Sequence, residues 1–355
     1  MKIFITGVCG FVGSTLAQCL PERIGGLQIT GMDSLVRAGS ETNRPRLERL
    51  GVRFIHGDLR SASDLAGVPA CDWVIDAAAD PSVLAGLGGA GSSRRLFEHN
   101  LGAIGNVLEY CREHRAGLIL LSTSRVYSIP ALAEIPLRVE NQAYALDPSA
   151  TLPRGLTSAG IGVDFSTAPP VSLYGATKLA SEIMALEYGA AFDFPVWITR
   201  CGVLAGAGQF GTPAQGIFAF WVNAHLRRRS IRYIGFDGSG FQTRDAFHPH
   251  DLAALLLAQM RAPRPAGPRI YTAGGGLANA TSLAQLTTWC DERFGRHTPE
   301  IDPTPRAYDV PWVVMENSGA ARDFGWRIET PLSAILEGIA RHAHDHPDWL
   351  EVSRA

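Results

Sequence analysis

The sequence predicts an α/β protein in which a doubly wound parallel sheet is joined to a smaller C-terminal α/β domain. In the first half, short apolar runs alternate with helix-like segments, and a glycine ends the first of these runs. Such runs are typical of parallel strands, because helices cover both faces of the sheet and bury both sides of each strand. After about residue 200 the regular alternation ends, which indicates that a second, smaller domain follows.

The elements of the first half can be placed from their apolar patterns. The runs predict strands at residues 2–6, 28–32, 52–56, 73–77, 118–122 and 196–200. Helical segments are predicted at residues 94–114 and 172–189. Between them, residues 128–171 contain several prolines and have little periodicity, so we expect a long functional loop there.

The second half has a different pattern. Residues 207–216, rich in Gly, Pro and Gln, indicate a loop, and residues 232–240 indicate a short strand and a turn. Apolar periodicity predicts helices at residues 251–260, 282–294 and 332–344. The proline-rich residues 261–268 are typical of a connector.

Composition and charge argue against several classes of protein. The formal net charge is −2, so no basic field favours nucleic acid or an anionic membrane surface. The chain has no apolar run of about 18 residues, the length of a membrane-spanning helix. Its six cysteines are scattered and include no Cys-x-x-Cys pair. We therefore expect no bound metal, no disulfide framework and a reducing, cytoplasmic location.

A glycine loop follows the first strand. Gly7, Gly10 and Gly13 have the spacing G-x-x-G-x-x-G, and a helix opens near Phe11 and Val12. The first glycine permits a tight turn, the second lets the backbone approach a pyrophosphate, and the third lets the helix pack on the strand. The amides and the positive dipole end of the helix N-terminus favour the anion. This arrangement is typical of dinucleotide binding in Rossmann-type folds.

An acidic residue follows the glycines at the spacing of a dinucleotide site. Asp33 lies 20 residues after the last glycine, at the end of the second strand, and Ser34 is next to it. A carboxylate there can accept bonds from ribose hydroxyls and repels a 2′-phosphate, so NAD is favoured, although the nearby Arg37 leaves NADP as an alternative. Asp58, followed by Leu59, either contacts the adenine or is a helix N-cap.

A tyrosine and a lysine four residues apart indicate hydride-transfer chemistry. Tyr174 and Lys178 form Tyr-x-x-x-Lys on a predicted helix, where positions i and i+4 share one face. The ammonium can lower the pKa of the phenol and hold a nicotinamide ribose, so that the phenol can take a substrate proton. Thr123, at the end of the fifth strand, is the expected partner of the reacting oxygen, with Ser122 and Ser124 as alternatives. Capping of the local turn is the other role open to these hydroxyls.

Together these motifs resemble the extended short-chain dehydrogenase/reductase family of nucleotide-sugar enzymes. The glycine loop, the Asp after the second strand, the S-S/T-x-x-V-Y strand and Y-x-x-x-K all occur here. H-N-L-G-A-I-G-N-V around Asn100 is similar to the family's N-V-x-G-T helix, and R-D-A-F-H-P-H-D from Arg244 is similar to its R-D-x-x-H-V-x-D motif. The resemblance covers nearly the whole chain. It implies a nucleotide-diphosphate sugar as substrate, bound NAD and a homodimer through a four-helix bundle.

The resemblance also implies further site residues. For the cofactor they are Ala77, Ala78 and Ala79, in the family's H-x-A-A-Q segment, with Asn100 and Arg200. For the substrate they are Arg244 at the diphosphate, Arg306 near a second binding segment of the family, Ser124, and Gln209, Phe210 and Gln215 in the sugar pocket. Bidentate diphosphate sites favour arginine, although an arginine directly before an aspartate could equally form a surface ion pair.

Within the family, the chain resembles the CDP-paratose 2-epimerase subgroup. The similarity lies in R-C-G-V-L at residues 200–204, Q-F-G at residues 209–211 and the long segment before Tyr174. In that subgroup NAD oxidises carbon 2 of the sugar, and the ketone is reduced from its other face. The family's Asn and Tyr after the sixth strand are here Val203 and Ala205. A diphosphate contact is therefore lost or supplied elsewhere, for example by Gln209 or Gln215.

The residues after Thr123 bear on the reaction type. Sugar 4,6-dehydratases of the family carry Asp-Glu there, whereas this chain carries Ser124 and Arg125, which disfavours elimination. The main hypothesis is an NAD-dependent nucleotide-sugar epimerase, with carbon 2 preferred. The alternatives are a 4-epimerase, a net dehydrogenase or reductase, and a non-catalytic NAD-binding sensor.

The expected domains follow from the same motifs. We expect residues 1–201, with about 231–262, to form the NAD-binding Rossmann domain. Residues of about 202–230 and 263–350 then form the nucleotide-sugar-binding domain. We expect the long segment 128–171 to cover the substrate.

Overall fold

The computed structural model describes residues 1–88, 92–262 and 269–354. In chain order the strands are β1 (Lys2–Thr6), β2 (Gln28–Asp33), β3 (Arg53–His56), β4 (Trp73–Asp76), β5 (Gly117–Thr123), β6 (Leu137–Glu140), β7 (Ala143–Leu146), β8 (Leu156–Thr157), β9 (Gly160–Ile161), β10 (Val196–Cys201), β11 (Val203–Leu204), β12 (Arg232–Ile234), β13 (Thr243–Phe247), β14 (Ile270–Ala273), β15 (Ala280–Ser282), β16 (Glu300–Asp302) and β17 (Trp312–Val313). The α-helices are α1 (Phe11–Arg23), α2 (Arg44–Arg49), α3 (Ala62–Ala66), α4 (Ser92–Phe97), α5 (Ala103–His114), α6 (Ile129–Ala133), α7 (Ser172–Ala191), α8 (Ile217–Leu226), α9 (Pro249–Arg261), α10 (Leu283–Phe294), α11 (Ser318–Phe324), α12 (Leu332–Asp345) and α13 (Trp349–Ser353).

A seven-stranded parallel sheet forms the centre of the molecule, in the order β14-β10-β5-β4-β1-β2-β3. From β1 the chain adds β2 and β3 on one side, and β4, β5, β10 and β14 on the other. The predicted doubly wound parallel sheet is therefore confirmed. The switch point between β1 and β4 is where such sheets bind ligands, because the connections leave in opposite directions there.

Helices cover both faces of this sheet. Ile3 and Ile5 of β1 pack into a buried cluster that includes Leu16 of α1 and Leu256 of α9. Between them Phe4 points to the opposite face, where it joins a cluster that includes Val107 of α5 and Ala185 of α7. This alternation explains why the strands have continuous apolar sequences: each side of each strand is buried.

The helix predicted over residues 94–114 is interrupted. It consists of α4, a π-helical turn at Glu98–Gly102 and α5. Asn100 lies in this turn and is 6% exposed. Because π-turns often occur at functional positions, the interruption makes the stretch around Asn100 a candidate functional position.

The smaller part of the molecule is built from short strands and four helices. β11, β13, β15 and β17 form one small sheet, and β12 pairs with β16 in another. Helices α8, α10, α12 and α13 share a separate apolar core. Within the described residues, no helix combines the length and the apolar character needed to cross a bilayer.

Two groups of strands lie across the predicted domain boundaries. β14, expected in the smaller domain, joins the central sheet beside β10, whereas β12 and β13, expected in the larger domain, belong to the small sheets. Short strands carry too little pattern to reveal their partners, which are set by contacts distant in sequence. Residues 263–268 of the expected connector lie outside the described residues.

The long segment 128–171 is folded. It contains α6 and two short antiparallel hairpins, β6–β7 and β8–β9. Leu132, Leu156 and Phe165 pack against Trp312 and Met315 in one apolar cluster. The segment is thus anchored to the smaller part of the molecule by buried apolar contacts.

Candidate active site

A cleft of about 910 Å³ runs along the carboxyl ends of β1, β2, β4, β5 and β10. The glycine loop lines one part of it, and Arg244 and Arg306 line another. The cleft therefore lies at the switch point of the sheet, as expected for a ligand site. Residues 128–171, all described, contribute no residue to this lining, so the role of this segment as a substrate-covering loop stays a prediction.

Most of the predicted site residues line this cleft. They are Gly7, Gly10, Phe11, Val12, Gly13, Asp33, Ser34, Asp58, Leu59, Ala77, Ala78, Ala79, Thr123, Ser124, Tyr174, Gln209, Phe210, Gln215, Arg244 and Arg306. Asn100, Lys178 and Arg200 are not among the lining residues, and they are only 6%, 4% and 5% exposed. These three side chains lie behind the wall of the cleft and can act on it through their neighbours.

The glycine loop leaves the N-terminus of α1 open. Gly7 has a φ of +64°, and a β-carbon there would lie 2.8 Å from the Cα of Ala78. A β-carbon at Gly13 would lie 2.3 Å from the carbonyl oxygen of Gly7, so any larger residue must distort the loop. The N-cap residue is Gly10, which has no side chain that could bond to the helix amides. The first amides of α1 are thus available to an anion in the cleft.

The carboxylate of Asp33 is held in place at the end of β2. It accepts hydrogen bonds from the backbone amides of Cys9 at 2.9 Å and Leu35 at 2.8 Å. Burial raises its pKa above the usual value, and these amide bonds oppose the rise. Each carboxylate oxygen retains a lone pair for a further donor, such as a ribose hydroxyl.

Arg37, considered in the sequence as a possible NADP contact, is engaged elsewhere. Its guanidinium donates to Oε1 of Gln215 and to the carbonyl oxygen of Phe210, both at 3.2 Å. It also lies over the Phe210 ring, 5.7 Å from the centroid. Arg37 therefore connects the end of β2 to the loop that carries Phe210 and Gln215.

Asp58 is not a helix N-cap. The following helix, α3, starts at Ala62 and has Ser61 as its N-cap residue. The Asp58 carboxylate instead contacts the Arg60 guanidinium at 2.5 Å, and this bond lowers the pKa of the carboxyl. Of the two roles left open by the sequence, contact with a ligand in the cleft remains.

Asn100 fixes the chain after β4. Its side chain accepts a bond from the amide of Asp80 at 2.8 Å and donates one to the carbonyl of the same residue at 3.1 Å. The amides of Ala77 and Ala78 donate to Oγ1 of Thr6 at 3.1 and 3.2 Å. These bonds hold the alanines against the cleft, so Asn100 acts on the predicted cofactor site from behind it.

Tyr174 and Thr123 lie next to each other in the wall of the cleft, where the Thr123 hydroxyl lowers the pKa of the phenol. The contact is possible because α7 packs closely on the turn after β5: a β-carbon at Gly175 would lie 2.2 Å from the carbonyl oxygen of Arg125. The hydroxyl of Ser172 accepts a bond from the Gly175 amide at 3.1 Å and orders the first turn of the helix. The predicted catalytic tyrosine and threonine are thus brought together.

The environment of Tyr174 is balanced between opposing effects. The pKa of the phenol is raised to about 12, mainly by burial, and the Thr123 hydroxyl opposes the rise. Cys201 and Asp80 raise the phenol pKa, whereas Arg125 lowers it. Among the cations, Arg125 therefore has the largest effect on this phenol.

Lys178 lies one helical turn after Tyr174, on the same face of α7. Burial raises the pKa of Asp76 and of Cys201, in the latter case to about 12, and the Lys178 ammonium opposes both shifts. Asp76 also accepts a bond from the Thr6 hydroxyl at 2.6 Å. Lys178 thus lies among the ends of β4 and β10. Cys201 stays a thiol rather than a nucleophilic thiolate at neutral pH.

The side chain of Arg200 is committed to a buried ion pair. Its guanidinium lies 2.7 Å from the carboxylate of Glu182, which also accepts a bond from the Ser122 hydroxyl. Because a buried carboxylate without a cation costs several kcal/mol, Arg200 is held there. The structure therefore does not bring this guanidinium to the cofactor, contrary to expectation, and Ser122 does not compete with Thr123.

Arg244 and Arg306 line the part of the cleft formed by the smaller domain, together with Arg232, which pairs with Glu300. Arg244 donates to the carbonyl of Val310 at 2.7 Å and lies 3.2 Å from the Asp309 carboxylate. Arg306 donates to the carbonyl of Pro213 at 3.3 Å. Arg244 thus forms the ion pair that the sequence left open, but it does so in the wall of the cleft, where an anion can still approach it.

The loop with Gln209, Phe210 and Gln215 lies at the β2 side of the cleft. Phe210 stacks on Trp349 with centroids 5.2 Å apart and packs with Phe11 of the glycine loop. The Gln209 amide donates to the carbonyl of Leu204 at 2.6 Å, and its buried Oε1 has no partner among the described residues. The loop therefore contacts the predicted cofactor site, and its role in the sugar pocket stays a prediction.

Arg125 and Asp80 are among the cleft residues that were not predicted as ligand contacts. Arg125 follows Thr123 by two positions, and Asp80 follows β4; both line the cleft and both act on Tyr174. Position after a strand end was the signal available in the sequence. Among the described residues, no group of three His, Cys, Asp or Glu side chains is placed to hold a metal ion.

Comparisons with known sequences agree on one family. A family profile described as "NAD dependent epimerase/dehydratase family" matches residues 3–274. CDP-paratose 2-epimerase of Salmonella typhi is 26% identical over 306 residues, which cover 81% of this chain and 82% of that protein. UDP-glucose 4-epimerase of Corynebacterium glutamicum is 25% identical over 355 residues, with coverage of 95% and 94%.

Comparisons with solved structures agree on the fold. The UDP-glucuronic acid 4-epimerase of Bacillus cereus, solved with UDP-glucuronic acid and NAD, has a TM-score of 0.76 at 21% identity, covering 97% of this chain and 99% of that one. The UDP-glucose 4-epimerase of Thermotoga maritima has the same TM-score at 19% identity. At such identities the likeness supports the fold alone.

Proposed function

Because the chain belongs to the NAD-dependent epimerase/dehydratase family, we propose that it epimerises a nucleotide-diphosphate sugar, with carbon 2 as the preferred centre and a transient ketone as intermediate. The placement of Tyr174 beside Thr123 carries this proposal. It places a proton acceptor and an oxygen-binding hydroxyl in the wall of a cleft that also contains Arg244 and Arg306. The carbon preference is supported by the similarity to the Salmonella typhi enzyme.

The residues of the cleft fit the NAD used by this family. The loop at Gly7 and Gly13 has no room for a β-carbon, and the uncapped start of α1 suits a pyrophosphate. Asp33 offers a carboxylate to the adenosine ribose and repels a 2′-phosphate. Arg37, the nearest cation considered for NADP, is held by Phe210 and Gln215. These contacts support NAD over NADP.

When bound, NAD supplies an acceptor that takes a hydride from a sugar carbon and later returns it. The chain supplies the proton chemistry. Tyr174 takes the proton of the hydroxyl on the reacting carbon, while Thr123 holds that oxygen by a hydrogen bond. After the ketone has turned over, Tyr174 gives the proton back. The proton acceptor must be the phenolate, so groups that lower the phenol pKa favour the reaction.

Elimination of a hydroxyl is not supported by the residues after Thr123. Dehydration needs a general acid beside the leaving hydroxyl, but Ser124 and Arg125 occupy these positions. Epimerisation needs only one residue that can both accept and donate a proton. A 4-epimerase remains the second candidate, because the Corynebacterium glutamicum relative is similar over 95% of this chain.

The proposal can be tested on the purified protein. It is first analysed for bound NAD and then incubated with CDP-, UDP-, dTDP- and GDP-hexoses, and NMR identifies the carbon that changes configuration. Bound NAD with inversion at carbon 2 and no free NADH supports the proposal, whereas inversion at carbon 4 supports the second candidate. Accumulating NADH would indicate net oxidation, and bound NAD without turnover would indicate a sensor.

The domain roles, the homodimer and the cytoplasmic location stay predictions. A homodimer is supported by apolar side chains on α7: Leu173, Ile183 and Met184 are 43%, 56% and 43% exposed. Exposed apolar groups on one helix favour burial against a second copy. Sedimentation velocity of the protein and of an Ile183→Glu variant would test this, because the charge should shift a dimer toward monomer.

A further inference from the structure

Arg125 is fixed beside the proposed catalytic pair. It lies in the 3-10 turn Ser124–Val126, directly after β5. Its amide donates to Oγ1 of Thr123 at 3.2 Å, and its carbonyl oxygen packs against Gly175, the residue after Tyr174. The side chain then extends along the wall of the cleft. The guanidinium therefore starts from a backbone position that is held on both sides.

The guanidinium of Arg125 has an unusual electrostatic setting. It donates a bond of 3.3 Å to the carbonyl oxygen of Tyr308, which carries no charge. Burial lowers its pKa to about 10, Arg244 lowers it further, and Asp309 opposes the shift. Asp309 itself lies 3.2 Å from Arg244. Arg125 is thus a partly desolvated cation. Asp309, the acid that opposes its pKa shift, already pairs with Arg244.

The charges in this part of the cleft are not balanced by the protein. Arg125, Arg244 and Arg306 act on one another, and the carboxylates that act on this group are Asp309 and Asp245. The cluster therefore has a formal excess of one positive charge. A nucleoside-diphosphate sugar carries one negative charge on each phosphate, so it is attracted to this excess. With only Arg244 and Arg306 the formal charges of the cluster would cancel.

We propose that Arg125 is a third cationic ligand of the substrate's diphosphate, on the side of the cleft that holds Tyr174. The inference deepens the proposed function and rests on it, since it assumes a nucleotide-diphosphate sugar. Arg244 and Arg306 hold the diphosphate from the smaller domain, and Arg125 holds it from the central sheet. The sugar is then fixed between the phosphate contact of Arg125 and the hydroxyls of Thr123 and Tyr174.

A purely structural role is the alternative. The bond between Arg125 and the Tyr308 carbonyl joins the turn after β5 to the segment that carries Arg306 and Asp309. Such a bond to a neutral acceptor would stabilise the ligand-free protein, and its loss would lower the melting temperature. A phosphate ligand would instead change the affinity for diphosphates and the salt dependence of binding.

The test compares Arg125→Gln, Arg125→Lys and wild type as full chains with bound cofactor. Arg138→Gln serves as the matched control, because Arg138 is exposed and pairs with Glu140. Isothermal titration calorimetry gives the Kd of CDP, UDP, dTDP and GDP and of the corresponding monophosphates at two salt concentrations. Thermal unfolding of each protein is measured alongside.

We expect Arg125→Gln to weaken the tightest-binding diphosphate at least about tenfold, the effect of one charge-assisted hydrogen bond. The matching monophosphate should change less than about twofold, and Arg125→Lys should lie between Arg125→Gln and wild type. The salt dependence of diphosphate binding should be smaller in Arg125→Gln. The control should behave as wild type.

The outcomes separate this inference from the proposed function. Unchanged diphosphate affinity in Arg125→Gln, or an equal loss for monophosphate and diphosphate, contradicts the role of Arg125 and leaves the proposed function standing. A wild type that binds none of the four diphosphates contradicts both. If Arg125→Gln does not fold, Arg125→Lys decides: it keeps the charge but not the guanidinium geometry, and unchanged diphosphate selectivity in it contradicts the inference.

Discussion

The Arg200 guanidinium lies 2.7 Å from the Glu182 carboxylate, and the two side chains are only 6% and 1% exposed. Arg200 belongs to β10 and Glu182 to α7, the helix that carries Tyr174 and Lys178. Arg200 also donates to the carbonyl of Val163 at 3.0 Å. The ion pair therefore fixes the proposed catalytic helix to the sheet, and the proton chemistry depends on it without contacting it.

Removal of this cation should destabilise the fold. Arg200→Met leaves the Glu182 carboxylate buried without a partner, which should cost about 3–5 kcal/mol of unfolding free energy. The double variant Arg200→Met/Glu182→Leu should recover much of the loss, because no charge then remains buried. Urea unfolding measures both effects. NAD lost from a variant of wild-type stability would instead support the sequence-based prediction that Arg200 contacts the cofactor.

Tyr174→Phe should abolish proton transfer while the cofactor stays bound. Loss of a positioned acid–base group typically costs about 10²–10⁴ in rate, so kcat should fall by at least about 100-fold. Tyr188→Phe is the matched control, because the Tyr188 hydroxyl bonds to Glu109 at the surface. Turnover and NAD content are measured on the same preparations. Full activity in Tyr174→Phe would remove this phenol from the mechanism.

Gly13→Ala should empty the cofactor site. Its β-carbon would lie 2.3 Å from the carbonyl oxygen of Gly7, so the loop or helix α1 must move. We expect most of the bound NAD to be lost on gel filtration. Gly338→Ala, in α12, has nothing within 4 Å of the added carbon and should stabilise the protein by about 0.5–1 kcal/mol. Equal NAD content in the two variants would argue against this packing.

Asp245 should make stability depend on pH. Burial raises the pKa of this carboxyl from the usual 3.8 to about 7, so the folded protein holds a proton that the unfolded chain releases. The contribution is full below pH of about 4 and is lost as the pH rises to about 7. Asp245→Asn mimics the protonated acid and should lack this fall. Urea unfolding between pH 5 and 8 compares the two; a constant difference would contradict the assignment.

Arg37→Ala should speed the release of NAD. The variant loses two hydrogen bonds of 3.2 Å, to Gln215 and to the carbonyl of Phe210, which hold the loop against the predicted adenosine site. Charged hydrogen bonds of this kind contribute about 1.5–3 kcal/mol, so release should be at least about tenfold faster. Arg49→Ala, at an exposed position of α2, is the control. Exchange of bound NAD against a labelled dinucleotide gives the rate.

Several features of the site could be predicted because they depend on neighbours in the chain. The glycine spacing after β1 and the i, i+4 relation of Tyr174 and Lys178 are local, so a backbone argument is sufficient. The position of Thr123 followed from its place at a strand end. The loop at Gln209 to Gln215 lines the cleft, and its role in the sugar pocket stays a prediction; the packing of its Phe210 on Trp349 and Phe11 could not be predicted, because it joins segments that are far apart in the chain.

The sequence alone determined the sheet type, the glycine loop and the placement of Tyr174 and Lys178 on one helix, since each arises from periodicity or spacing within one segment. Only the tertiary structure decided which charged side chains lie next to each other. Arg200 pairs with Glu182 rather than facing the cleft, and Arg125 joins Arg244 and Arg306 beside Tyr174. The reason is physical: electrostatic interactions depend on distance and burial, and both are set by packing between segments that are far apart in the chain.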